Sequence, residues 1–177
     1  MEGIKILLLA LSGSIVYGVL HDLVTAHQCV QYFSEFHPDL FHTTNPILLA
    51  LGWGVVATWW AGAFIGIPLA MISTLGNEPK LGWRTLLFPV GVLLLTMGLF
   101  ALFAGLFGRQ NPEAILEFMP RARRFTDGRT PDFISRFASD LAAHNASYLA
   151  GLVGGCGLWV YAGIARLRLS SNPKGSK

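Results

Sequence analysis

Three features of this sequence predict an all-α integral membrane fold, a four-helix transmembrane bundle with a helical extramembrane cap. Apolar residues fill 53% of the 177 positions and charged residues only 13%, where a soluble domain carries roughly a quarter. The apolar residues gather into four runs, each close to the ~20 residues a helix needs to cross hydrocarbon. Turn-forming or charged residues bound every run. Helices are the expected form, because each backbone amide inside a bilayer must find its partner without water.

The first span runs from Ile4 to about Ala26 and the second from Ile47 to Leu75. The third covers Leu86 to Phe107, and the fourth about Leu141 to Leu167. Asn45-Pro46, Gly76-Asn77-Glu78-Pro79, Gly108-Arg109, and Arg166 with Arg168 mark the boundaries. The first span also ends in Val24-Thr25-Ala26, a plausible signal cleavage site. Its apolar region exceeds a signal core, and His21 and Asp22 lie just before the cut, so it is read as a retained helix. Between the third and fourth spans, residues 108–140 form the cap. Asn111-Pro112-Glu113 and Thr130-Pro131-Asp132 both read as helix starts, with a capping side chain, proline at the first position and an acid in the first turn. The second of these helices should run straight into the fourth span. Residues 170–177 are expected to be a short disordered tail. The whole chain is one membrane domain.

The charge of +3 is distributed as membrane topology rather than as a nucleic-acid surface, so no nucleic-acid partner is expected. With an inside N-terminus, Lys5, Lys80, Arg84, Arg166, Arg168, Lys174 and Lys177 share the cytoplasmic side. The first outer loop holds Glu35 and Asp39 without a lysine or arginine. The arginines of the cap run against this rule. Cytoplasmic termini in a bacterial inner membrane are the expectation, with the lipid bilayer as the chain's partner. Homo-oligomer and partner subunits stay open. Cys29 and Cys156 lie at different depths and should not pair.

Gly62 and Gly66, and again Gly151 and Gly155, repeat at the four-residue spacing that lets membrane helices approach closely. Trp53, Trp59 and Trp60 do not fit a purely interfacial belt, since the last two fall near mid-membrane. They read as core packing, with an aromatic wall for a lipid or cofactor as the alternative.

All five histidines fall on one side of the predicted membrane. His21 and His27 end the first span, His37 and His42 follow in the loop, and His144 lies at the same end of the fourth. His21 is about 24 Å above Lys5, and His144 about 33 Å above Arg166, at ~1.5 Å per residue. Asp132, Arg136, Asp140, His144 and Tyr148 recur every four residues and so share a face. Tyr17, His21 and Thr25 form a matching stripe beside Asp22, and Glu35 and His37 sit one residue apart in the loop. Mixed imidazole and carboxylate donors suit zinc, iron or manganese. The candidate ligands are His21, Glu35, His37, Asp140 and His144, with Asp22 in support and His27 and His42 as weaker choices.

No spacing matches a specific metal motif, and no phosphate loop, nucleophile elbow or dinucleotide fingerprint is present. Three readings remain beside an accessory protein with such a site. One is a purely structural polar cluster. Another is an enzyme in which His21, His144 and Asp140 hold a metal-activated water with Glu35 as base. The last is a proton site, or a haem ligated by His21 and His144. A transporter is disfavoured, since no acid or base lies mid-membrane to form a relay.

The stretches Tyr17-Gly18-Val19-Leu20-His21-Asp22, Trp53-Gly54, Ala57-Thr58-Trp59-Trp60 and Ala143-His144-Asn145-Ala146-Ser147-Tyr148 resemble segments of small uncharacterised bacterial integral membrane proteins. That resemblance covers most of the chain. It implies a four-span membrane protein and nothing about chemistry.

Overall fold

A computed structural model describes residues 1–171. Seven α-helices and no strand occur among the described residues: α1 (Glu2–Gln28), α2 (Pro46–Val56), α3 (Trp59–Thr74), α4 (Trp83–Gln110), α5 (Pro112–Leu116), α6 (Pro120–Thr126) and α7 (Pro131–Ser171). Four stretches are long and apolar enough to cross a membrane: α1, α2 with α3, α4, and α7. Their outward faces carry Leu8, Val16, Leu95, Phe103, Leu149 and Val153, all well exposed. The predicted tail begins inside α7, which continues to Ser171; residues 172–177 lie outside the described part of the chain.

Local chemistry explains the boundaries. The Asn45 side chain accepts from the amides of Ile47 and Leu48, and Pro46 opens α2 where no amide is needed. Pro131 likewise opens α7, whose 41 residues extend about 60 Å at ~1.5 Å per residue. Half of that length would suffice to cross a bilayer, and its first turns pack against the cap helix α5. The cap helix expected from Asn111 onward is two pieces: α5 ends at Leu116, and Pro120, suited to a first helical position, opens α6.

The second span departs from the expected continuous helix. It breaks at Ala57 and Thr58 into α2 and α3, although neither proline nor glycine stands there. Thr58 bonds its hydroxyl back to the Gly54 carbonyl at 2.5 Å, a local bond that competes with the helical ladder. Gly54 itself rests on the backbone of Val19, and Gly18 on the Gly54 carbonyl and Thr58. The break therefore lies where α2 is pressed against α1.

The long helices form a square in which α1 and α7 occupy opposite corners and α3 and α4 the other two. Small residues set the close edges. Gly62 and Gly66 face Ala10, Leu11 and Leu7 of α1, while Gly105 and Gly108 face Ser139, Ala138 and Ala142 of α7. Gly155 receives Ile65, and Gly151 receives Met97. Two apolar clusters close the bundle. Leu49, Ala50, Phe133, Phe137 and Leu141 lie at the cap end, and Ile6, Leu69, Leu86, Leu158 and Ala162 at the opposite end. Trp59 and Trp60 point outward rather than into a core. Both cysteines are free thiols.

Candidate metal centre at the cap end of the bundle

Each helix brings a different part of the site. α1 delivers His21 and Asp22 about two turns before its C-terminus at Gln28, and α7 delivers His144 from the opposite corner. The two imidazoles meet edge to face with ring centroids 4.5 Å apart. Above them, the chain after α1 makes a π-helical turn over Tyr32–Phe36, a wide winding that is uncommon and often found at functional sites. Its Tyr32 and Phe33 rings cover His144, at 4.6 Å and 5.6 Å between centroids. Burial holds the Tyr32 phenol well above its ordinary range, so it lies there as a neutral, apolar lid. The cap pins that turn: Arg121 donates to the Phe36 carbonyl at 2.6 Å, and Arg129 pairs with Glu35 at 2.8 Å.

His144 Nδ1 lies 2.8 Å from the Asp140 backbone carbonyl. A carbonyl can only accept, so Nδ1 carries the hydrogen, a tautomer assigned from its partner. In the neutral ring, Nε2 then turns a lone pair toward Asp22 Oδ1, 3.2 Å away. Two lone pairs at that distance need a positive charge between them, either a proton or a metal ion. His21 Nε2 is buried beside this pair with no hydrogen-bond partner among the described residues. A buried polar atom of this kind calls for an explanation. One ligand atom each from His21, Asp22 and His144 lies within 4.8 Å of the others. A tetrahedral ion with bonds near ~2.1 Å needs ligand separations of about 3.4 Å, and His144 Nε2 and Asp22 Oδ1, 3.2 Å apart, already stand close to that.

The other predicted ligands lie elsewhere. Asp140 is fully buried, but its carboxylate turns away: Oδ1 accepts from Gln28 Nε2 at 2.7 Å and Oδ2 has no partner. Its contribution to His144 is a backbone carbonyl. Glu35 faces the surface with Arg129. His37 sets Nδ1 against the Tyr32 carbonyl at 2.7 Å and lies against Trp53, with ring centroids 5.3 Å apart. It lines the cavity beneath the lid but is not among the three clustered ligands. His27 and His42 are exposed, bonded to the Leu23 carbonyl and to Asp39. Asp22, expected as a ligand or as support for one, is an equal member of the cluster. Its adjacency to His21 in sequence was the available signal.

Below the cluster, a cavity of about 640 Å³ runs down the centre of the square. Its upper wall is polar, with Tyr17 and Ser147 joined by a 2.6 Å hydrogen bond, and its lower wall is apolar. No protein-family profile, curated protein or solved structure matches this chain.

Proposed function

We propose that this chain is a multi-pass protein of the bacterial cytoplasmic membrane whose bundle holds a divalent metal through His21, Asp22 and His144. In this reading the protein has an accessory role, presenting a metal centre with open coordination positions toward the central cavity. The observation that carries the proposal is the unpartnered, buried Nε2 of His21 beside the opposed lone pairs of His144 and Asp22. Two imidazoles and one carboxylate form the donor set of open zinc and ferrous sites, which keep positions free for a further ligand. The His144 hydrogen bond to the Asp140 carbonyl is the kind of outer contact that fixes a ligating ring.

The apolar outward faces and the four long helices support the membrane assignment. The lysine and arginine distribution favours cytoplasmic termini, with the metal near the outer face. The cap arginines still run against the rule, which counts bases whatever their partners. Arg121 and Arg129 bind Phe36 and Glu35 of the turn after α1, and Arg136 binds Asp132 within the cap. A haem between His21 and His144 is a poorer fit, since rings in edge contact leave no space for a macrocycle. The enzyme reading loses its base, because Glu35 faces the surface.

Elemental analysis of the purified protein in detergent tests the centre. About one zinc, iron or manganese per chain is expected, lost in His144→Ala and in Asp22→Asn and retained in Glu35→Gln. A second reading has a specific observation behind it: a doubly protonated His144 would satisfy both the Asp140 carbonyl and Asp22. Protein free of metal after purification and after incubation with each ion would favour that structural cluster and end the metal proposal.

A further inference from the structure

The cavity below the cluster is graded in polarity along its length. His21, Asp22 and His144 lie at its upper end, with Tyr17, Thr58, Ser147 and Tyr148 next below. Its lower end is walled by Leu69, Val90, Leu93, Leu94 and Leu158. From His144 to Leu158 along α7 the cavity spans about 21 Å at ~1.5 Å per residue, most of the ~30 Å of a hydrocarbon core. Its volume lies within the range of small-molecule sites, roughly 300–1,000 Å³.

The cavity also has a side opening. Trp60 and Phe64 of α3 and Tyr148 and Leu152 of α7 line it, yet are 51%, 55%, 41% and 50% exposed on the outside of the bundle. A residue that lines the interior while facing outward marks a mouth. This mouth lies between the second and fourth spans, within the apolar belt, beside the break at Ala57 and Thr58. There the Tyr148 ring stacks on Trp60, with centroids 6.3 Å apart, and its hydroxyl donates to the Ala57 carbonyl, so these side chains rim the opening. An occupant arriving by this route comes from lipid, not from water.

We infer that the cavity takes one chain of a membrane amphiphile that enters between the second and fourth spans and sets an anionic oxygen head group on the metal centre. The head-group assignment rests on the metal reading above; the chain assignment rests on the shape and polarity of the cavity. Two imidazoles and one carboxylate leave a divalent ion with net positive charge facing the cavity, which selects an anionic oxygen donor. The lower walls offer nothing to a polar group and suit a single acyl or isoprenoid chain.

The probe is palmitate carrying a photoactivatable diazirine near the chain end, presented in phosphatidylcholine vesicles containing the full-length protein. Crosslinks located by mass spectrometry are expected on Leu93, Leu94 and Leu158, in excess over lipid-facing positions such as Leu20 and Phe103. Ala61→Trp, which projects into the cavity, and Leu152→Trp, at its mouth, should each cut the deep labelling about tenfold with metal content unchanged. His144→Ala should remove the metal and weaken the labelling by a similar factor. Acetate, which brings the carboxylate without the chain, should displace none of it.

Labelling spread evenly over the outer surface, in protein that holds its metal, would overturn the inference and leave the proposed function standing. Deep labelling that is indifferent to His144→Ala, in protein without metal, would overturn the head-group assignment together with the metal centre.

Discussion

The contact between α1 and α2 sets the shape of the whole upper bundle, and Gly54→Ala perturbs it most directly. A Cβ at Gly54 would lie 2.6 Å from both Cα and N of Val19, where ordinary contact begins at 3.4 Å. These are backbone atoms and cannot rotate aside, so the helices must part by about 0.8 Å. Overpacking of this kind costs about 1–3 kcal/mol, and parting the helices also weakens dispersion contacts along their shared edge. At ~2 kcal/mol the thermal midpoint falls roughly 4–8 °C for a chain of this size. The comparison is Gly157→Ala on α7, where nothing lies within 4 Å of the added carbon. There alanine gains up to ~1 kcal/mol of helix propensity, and the midpoint should hold or rise. Both variants and the parent are melted in one detergent at one concentration, followed by tryptophan fluorescence. A Gly54→Ala midpoint within about 1 °C of the parent, or a Gly157→Ala loss as large, would refute the packing account.

Other positions give independent tests. Burial, helped by the nearby Asp140 carboxylate, pushes the Cys29 thiol up to about 11. At pH 8 roughly 0.1% is thiolate, so alkylation should be hundreds of times slower than for an ordinary cysteine, and unfolding should restore it; fast labelling of the native protein counts against the packing of Cys29. Arg166 donates to the carbonyls of Ile72, Glu78 and Pro79, tying α7 to the end of α3 and the loop after it. Arg166→Ala should cost ~2–3 kcal/mol in denaturation, with partial recovery in Arg166→Lys, and equal stability of all three forms would dismiss the clasp. Burial holds the His37 imidazole below its ordinary 6.5, so the unfolded chain takes up that proton first as the pH falls. Its contribution to stability is present above pH 6.5 and shrinks as the pH drops through that value. His37→Gln should flatten this part of the curve, and superimposable curves for the two proteins would argue against it.

Much of this architecture can be read from residues alone, and the parts that cannot share a cause. The four runs and their bounding turns are local signals of composition and length, as is the proline start of α7, which continues into the fourth span as expected. Helix count and depth put His21 and His144 on one side at comparable height; that their rings touch depends on helix rotation. Which carboxylate joins them likewise depends on the rotation of α1 and α7 about their own axes. Packing of Gly18 and Gly54 settles that rotation for α1, and packing of Gly105 and Gly108 settles it for α7. The same rotation turns the Asp140 carboxylate toward Gln28 while leaving its carbonyl for His144. Likewise the break in the second span has no proline to announce it. Its signal is Thr58 four residues after Gly54, a pairing that acquires meaning only once α1 is seen to press on both.

That break also bears on the central cavity. Native interiors are close-packed, and an empty apolar space costs about 24 cal/mol per Å³. The 640 Å³ cavity here opens on the flank of the bundle, so its apolar walls favour an occupant over a void. Water needs two to four polar partners to be held in a cavity, and the walls at Leu93, Leu94, Val90 and Leu158 offer none. Only the upper end, at Tyr17, Ser147 and the three-residue cluster, can host it. A chain that is apolar below and polar above satisfies both ends at once. The opening lined by Trp60, Phe64, Tyr148 and Leu152 lets it enter from the side.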